Sequence, residues 1–113
     1  MRPASKHRAI RTEVDGVKFD SRAEARRWRE LQLLERAGQI VDLKRQVPFP
    51  LIVNGVQVAK FIADFTYRTS FGDPEHVIIE DVKSEHTRKL PVYRLKAKMF
   101  AAQYGRKITE VIR

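Results

Sequence analysis

The sequence predicts a small α/β domain: a mixed sheet of about four to five strands flanked by two helices, with an additional hairpin at the N-terminus. Three observations predict it. Short alternating segments meet at Asp15-Gly16 and at Asn54-Gly55, dipeptides that suit two-residue hairpins because both turn positions need positive φ. Two stretches, 21–37 and 92–104, change to helical period. After the second of these a last alternating segment, "KITEVIR", is placed to return beside the sheet by a helical crossover.

At 113 residues the chain is one domain, with residues 10–113 as its body and residues 1–9 as a basic flexible arm. Hydrophobic residues at 42% and charged residues at 33%, without repeats or low-complexity tracts, fit a globular protein. No apolar run is long enough for a signal peptide or a membrane span, so a cytoplasmic protein with no membrane partner is expected. There is no cysteine, and His7, His76 and His86 lack zinc-type spacing, so any metal is held mainly by oxygen. A net charge of +9 favours a polyanionic partner, nucleic acid first, with generic solubility or an acidic membrane surface as the bland alternatives.

In chain order, "IRTEVDGVKF" reads as a small hairpin. "FDSRAEARRWRELQLLERAGQI" follows as a helix over 21–37, with Ser21 or Asp20 as N-cap and Gly38 just past its end. On a 100° wheel Glu24, Trp28 and Leu31 share one sector with Leu34 beside it, while Arg22, Arg26 and Arg29 point elsewhere. A carboxylate therefore lies on the apolar stripe. "IVDLKRQVPFPLIV" and "VQVAKFIADFTY" flank Asn54-Gly55 as a strand pair, and Pro48 and Pro50 push the first toward an edge. The 56–67 and 76–83 segments are expected to be antiparallel neighbours. Pro91 opens a helix that runs to Gly105, with Val92, Leu95 and Met99 on one side, Tyr93, Phe100 and Tyr104 on the other, and Lys96 and Gln103 between.

The chemistry-bearing stretch is "VIIEDVK". Alternation puts Val77, Ile79, Asp81 and Lys83 on one face and Ile78, Glu80 and Val82 on the other, with apolar residues beginning both, as in a strand covered on both sides. The Cα atoms of Asp81 and Lys83 are then about 6.6 Å apart, close enough for both side chains to reach one phosphate. Asp64 lies amid Phe61, Ile62, Ala63 and Phe65, a poor place for an unpartnered carboxylate. Acids on neighbouring strands can share a cation, and oxygen ligands completed by water and substrate phosphate are the Mg²⁺ or Mn²⁺ pattern.

Asp64 followed by Asp81-x-Lys83 resembles the PD-(D/E)xK nuclease signature, with Ala63 where that motif often has proline. The stretches "DGVKFDSRAEARRW", "IADFTY", "EDVKSEHT" and "VYRLKAKMF" together resemble a family of small phage and prophage proteins, long known only as a domain of unknown function and placed in that superfamily. The resemblance implies a restriction-endonuclease-like α/β core in which Glu24, Asp64, Asp81 and Lys83 are catalytic. Glu24, Asp64, Asp81 and the Val82 carbonyl would ligate Mg²⁺ or Mn²⁺. It implies a metal-dependent DNA endonuclease, working as a homodimer without a small-molecule cofactor in a bacterial host cell, with branched or recombining phage DNA as the specific expectation.

Bland readings stand beside these. Ser21 and Glu24 also make a capping box. Asp64 could pair with an arginine, and Asp81 and Lys83 could form a plain ion pair. Glu80, turned away, is expected in a structural salt bridge. Lys96 either snorkels or approaches the site. Gln46 and Gln103 are candidates for substrate positioning or ordinary hydrogen bonding. His86, Arg88 and Lys89, together with Arg8 and Arg11 near the N-terminus, are candidate contacts to the DNA backbone, the alternative being solvated polar segments. A DNA-binding accessory protein without turnover is the competing function, and a small structural or partner-inhibiting phage protein a third.

Overall fold

The structure is a computed structural model that describes residues 12–14 and 16–113. The N-terminal arm with Arg8, the neighbouring Arg11 and Asp15 of the first turn lie outside the described residues. The order of elements is β1 (Thr12–Val14), β2 (Val17–Phe19), α1 (Arg22–Arg36), β3 (Ile40–Val53), β4 (Val56–Thr69), β5 (Ile78–Lys83), α2 (Pro91–Tyr104) and β6 (Thr109–Ile112). It is the order expected: hairpin, helix, three strands, helix, strand. A 3₁₀ turn at Thr87–Lys89, not anticipated, precedes α2.

β1 and β2 pair antiparallel as a separate two-stranded ribbon. The remaining strands form one sheet in the order β3-β4-β5-β6, antiparallel except for the parallel β5-β6 pair that α2 bridges. Asn54 and Gly55 turn the β3-β4 hairpin at φ 49° and 78°, as a type I′ turn requires. β3 is an edge strand, which is where Pro48 and Pro50 can omit their N–H without breaking an interior ladder.

α1 begins as its cap residues dictate: Ser21 is extended and its Oγ accepts the Glu24 N–H at 3.1 Å. The helix ends before Gly38, whose φ of 77° lets Gln39 N–H close back on the Leu34 carbonyl at 2.9 Å. Its apolar stripe buries Ala25 and Leu31 and stacks Trp28 on Phe65 with ring centroids 5.7 Å apart. Leu34, beside the stripe, remains exposed, as do Arg22, Arg26 and Arg29. Among the described residues no helix is long and apolar enough to cross a membrane.

The helices lie on opposite sides of the sheet, over separate cores. One gathers Phe19, Ala25, Leu31, Ile40, Phe65 and Tyr67, with Ile78 and Val82 packed against it; the other gathers Leu51, Phe61, Ala63, Ile79 and Phe100. β5 serves both by simple alternation. β4 does not: Phe61, Ala63, Phe65 and Tyr67 have one parity, yet the first two enter the α2 core and the last two the α1 core. The ribbon must rotate between Ala63 and Phe65, and Asp64 is the residue at the change. Gln46, between the registered pairs Arg45↔Phe65 and Val47↔Ala63 that flank Asp64, has a φ of 54°, left-handed backbone rare outside glycine. The seam between the two cores is thus where the acidic residues meet.

Candidate active site

The β4-β5 ladder runs from Tyr67↔Ile78 to Phe65↔Glu80 and stops. One step on, Asp64 and Asp81 would be opposite each other, but the strands diverge and side chains replace the ladder. Asp64 N–H donates to Asp81 Oδ1 at 3.2 Å, and Val82 N–H donates to Asp64 Oδ2 at 2.9 Å. Each aspartate satisfies an N–H that the splayed strands would otherwise leave without a partner.

Glu24 reaches the same seam from the first turn of α1 and is 4% exposed. Gln46 Nε2 bridges it to the strands, donating to Glu24 Oε1 at 2.9 Å and more weakly to Asp64 Oδ1 at 3.4 Å. Three carboxyl groups therefore converge, and each resists ionisation. Asp81 is pushed up to about 7 by burial and then by the charge of Asp64, against the pull of Lys83. Asp64 is pushed up to about 6 by burial and then by Glu24. Glu24 is raised by burial and by Asp20.

Lys83 Nζ pairs with Asp81 Oδ2 at 2.7 Å, the one direct ion pair of the three acids among the described residues. The same Nζ lies 4.5 Å from the centroid of the Tyr93 ring, whose negative face holds it in place. Tyr93 is fixed in turn by its hydroxyl, which donates to Glu110 Oε2 at 2.7 Å. Asp81, Lys83 and Tyr93 open into a groove of 410 Å³ whose walls also carry Lys60, Lys96 and the apolar Ile62 and Val92. Lys96 thus reaches the groove of Asp81 from α2, while Lys60 and Tyr93 belong to it without any motif in the sequence that marks them.

The other candidates separate clearly. Glu80 is fully buried on the opposite face, where Arg27 Nε and Nη2 donate to its two oxygens at 2.6 and 3.0 Å and the Tyr67 hydroxyl donates at 2.6 Å; it is the structural salt bridge expected. Gln103 is away from the acids: its Nε2 donates to the Pro50 carbonyl at 2.9 Å and its Oε1 accepts the Ile52 N–H at 2.8 Å, tying α2 to β3. Of the two readings of Gln103, ordinary hydrogen bonding is the one these contacts fit. Arg88 and Lys89 lie in the 3₁₀ turn, preceded by the exposed His86, and line a second groove on the other side of Tyr93.

The donor chemistry of Glu24, Asp64 and Asp81 suits a hard divalent cation: oxygen alone, buried, with more negative charge than Lys83 balances. As the side chains stand, no three His, Cys, Asp or Glu among the described residues already form a metal cage. The Gln46 amide lies between Glu24 and Asp64, and backbone amides hold one oxygen of each aspartate.

The chain matches, over residues 4–113, the family described as protein of unknown function (DUF1064), and it belongs to that family. No curated protein and no solved structure matches it.

Proposed function

We propose that this member of a family of unknown function is a metal-dependent DNA endonuclease of the PD-(D/E)xK type, hydrolysing phosphodiesters and selective for branched or recombining phage DNA. The observation that carries the reading is the convergence of Glu24, Asp64 and Asp81, from three separate elements, beside an ammonium that opens into a lysine-lined groove. Burial opposes the ionisation of all three acids, and the charge of Asp64 adds to it at Asp81 and that of Glu24 at Asp64, so a cation bound among them would relieve that cost.

Glu24, Asp64 and Asp81, with the Val82 carbonyl, would hold Mg²⁺ or Mn²⁺. Such an ion supplies positive charge opposite the phosphate oxygens and lowers the pKa of water in the site. Lys83 holds the attacking water or stabilises charge developing on the phosphorane, and its place on the Tyr93 ring keeps the ammonium from swinging into solvent. Lys60 and Lys96 neutralise the flanking phosphates. Water adds to phosphorus in line, the bond to the leaving oxygen breaks, and a phosphate monoester and a hydroxyl result. A chain this small does not enclose a duplex, so a homodimer with one site per strand is part of the proposal, as is action in the cytoplasm of a bacterial host.

A second reading, a DNA-binding accessory protein without turnover, draws on the aspartate clamp, which gives Asp64 and Asp81 a structural task independent of metal. One experiment divides the two: plasmid, linear, single-stranded and four-way-junction DNA are incubated with protein and Mg²⁺, Mn²⁺ or EDTA, beside Asp81→Ala and Lys83→Ala. Metal-dependent cleavage lost in both variants supports the nuclease. Cleavage by both at the wild-type rate removes the site assignment, and tight binding without cleavage supports the accessory protein.

A further inference from the structure

Tyr93 is a wall between two grooves. On one side is the groove of Asp81 and Lys83; on the other is a groove of 440 Å³ between the 3₁₀ turn, α2 and β6, lined by Arg88, Lys89, Arg94 and Lys98 with Glu110 as its one acid. That acid is already engaged, accepting from the Tyr93 hydroxyl at 2.7 Å and from Arg88 Nε at 3.3 Å. Arg88 has a second acidic neighbour in Glu85, 3.7 Å away. Lys89, Arg94 and Lys98 make no ion pair among the described residues.

Their spacing makes this costly in isolation. Arg94 and Lys98 are four residues apart on α2, side by side on one face, and like charges so placed repel and destabilise a helix slightly. An anion in the groove would attract both cations and offset that repulsion. The groove also has the charged donors that phosphate oxygens take: the Arg94 guanidinium fork for bidentate contact and the ammonium groups of Lys89 and Lys98, with Arg88 beside them.

We propose that this second groove binds a phosphodiester of the same nucleic-acid strand away from the bond being cut, so that the backbone passes over Tyr93 from one groove to the other. The inference rests on the reading that the groove of Asp81 and Lys83 takes the scissile phosphate. The two grooves adjoin on neighbouring sectors of α2, with Tyr93 lining both. A strand must carry at least two phosphates to occupy both grooves, so the longer strands are expected to gain affinity.

The test is fluorescence anisotropy of labelled oligonucleotides of 2, 4, 8 and 12 nucleotides, single-stranded and as duplex DNA and RNA, with full-chain protein in EDTA over a salt series. Wild type should gain affinity once the strand spans both grooves. Arg94→Ala/Lys98→Ala should lose about tenfold or more on the longer strands, lose that gain with length, and lower the salt slope by about 2. Arg29→Ala/Arg36→Ala on α1 removes equal charge elsewhere, and circular dichroism melts check that both double variants fold. An unchanged slope in the groove variant, an equal loss in the α1 variant, or no binding by wild type would each overturn the proposal. The DNA and RNA arms show which backbone the groove takes. Parallel cleavage assays with Asp81→Ala keep the two readings apart: loss of binding in the groove variant of a protein that never cleaves upholds the groove and removes the nuclease.

Discussion

Asp64 and Asp81 hold each other across strands that have already separated. The backbone N–H of Asp64 donates to the Asp81 carboxyl at 3.2 Å, while the Asp64 carboxyl accepts from Val82 at 2.9 Å, next to Asp81. The arrangement joins fold and chemistry: the splay that ends the ladder makes room for the two carboxyl groups, and the two carboxyl groups close the splay. Neither can be moved without the other.

Because Asp81 and Asp64 are raised to about 7 and about 6 from the ordinary 3.8, the folded protein retains protons that the unfolded chain releases. Stability is therefore greatest below about pH 4 as far as these groups are concerned, and it is lost as pH rises through 6 and 7. In EDTA, Asp81→Asn should raise the melting temperature at pH 8 by about 8–16 °C, corresponding to roughly 2–4 kcal/mol, and should flatten the pH dependence between 5 and 8. A variant that melts lower than wild type at pH 8, with the slope intact, would show that the clamp outweighs the repulsion.

Lys83 is held by two contacts of different kind, the Asp81 carboxylate and the Tyr93 ring. Lys83→Ala should lower turnover of cleavable DNA by about 10²–10³-fold with little change in binding affinity, since one ammonium contributes most where charge develops. Lys83→Arg should recover only a small part of this, because the planar guanidinium does not fit a site shaped for a compact charge. Single-turnover rates beside equilibrium binding separate the two effects; a loss confined to affinity would reassign Lys83 to substrate binding.

Glu80 shows how the neighbouring acid differs. It is fully buried yet met by Arg27 and Tyr67 on both oxygens, and burial with the Glu80 hydrogen bond pushes the Tyr67 hydroxyl up to about 12. Glu80→Ala leaves the Arg27 charge without its partner and should destabilise the protein by about 3–5 kcal/mol, while Glu80→Gln retains part of the network. Urea unfolding measures this. The proposed nuclease activity, measured per folded molecule, should be unaffected, and a selective loss of activity would place Glu80 in the site.

Much of this was open to reading before the structure. Alternation separates Asp81 and Lys83 from Glu80, and the structure places Glu80 in the other core-facing side with Arg27 and Tyr67. Asn54-Gly55, Ser21, Pro91 and Gly105 mark their turns and helix ends because local sterics and caps decide them. The rotation of the β3-β4 ribbon is not written locally. It arises because one hairpin must cover two cores, and so the approach of Gln46 to Glu24 across 22 positions has no sequence signal. Gln103 shows the ordinary hydrogen bonding that was one of its two readings: the same sector of α2 that passes Lys96 into the groove has, two turns later, reached β3, and its amide finds the Pro50 and Ile52 backbone.

Gln46 holds an unfavourable backbone conformation, φ 54°, in order to direct its amide between Glu24 and Asp64. An amide nitrogen and a cation seek the same carboxylate oxygens, so the two compete. Gln46→Gly removes the bridge while suiting the backbone, since glycine adopts positive φ without penalty. A hydrogen bond to a charged group contributes about 1.5–3 kcal/mol, so the variant should bind Mn²⁺ about tenfold more tightly than wild type. It should also fold at least as stably in EDTA at acidic pH, where the carboxyl groups are neutral. Calorimetric titration of Mn²⁺ into both proteins decides the matter. Weaker binding by the glycine variant would mean that the Gln46 carboxamide turns its oxygen to the ion and serves as a ligand.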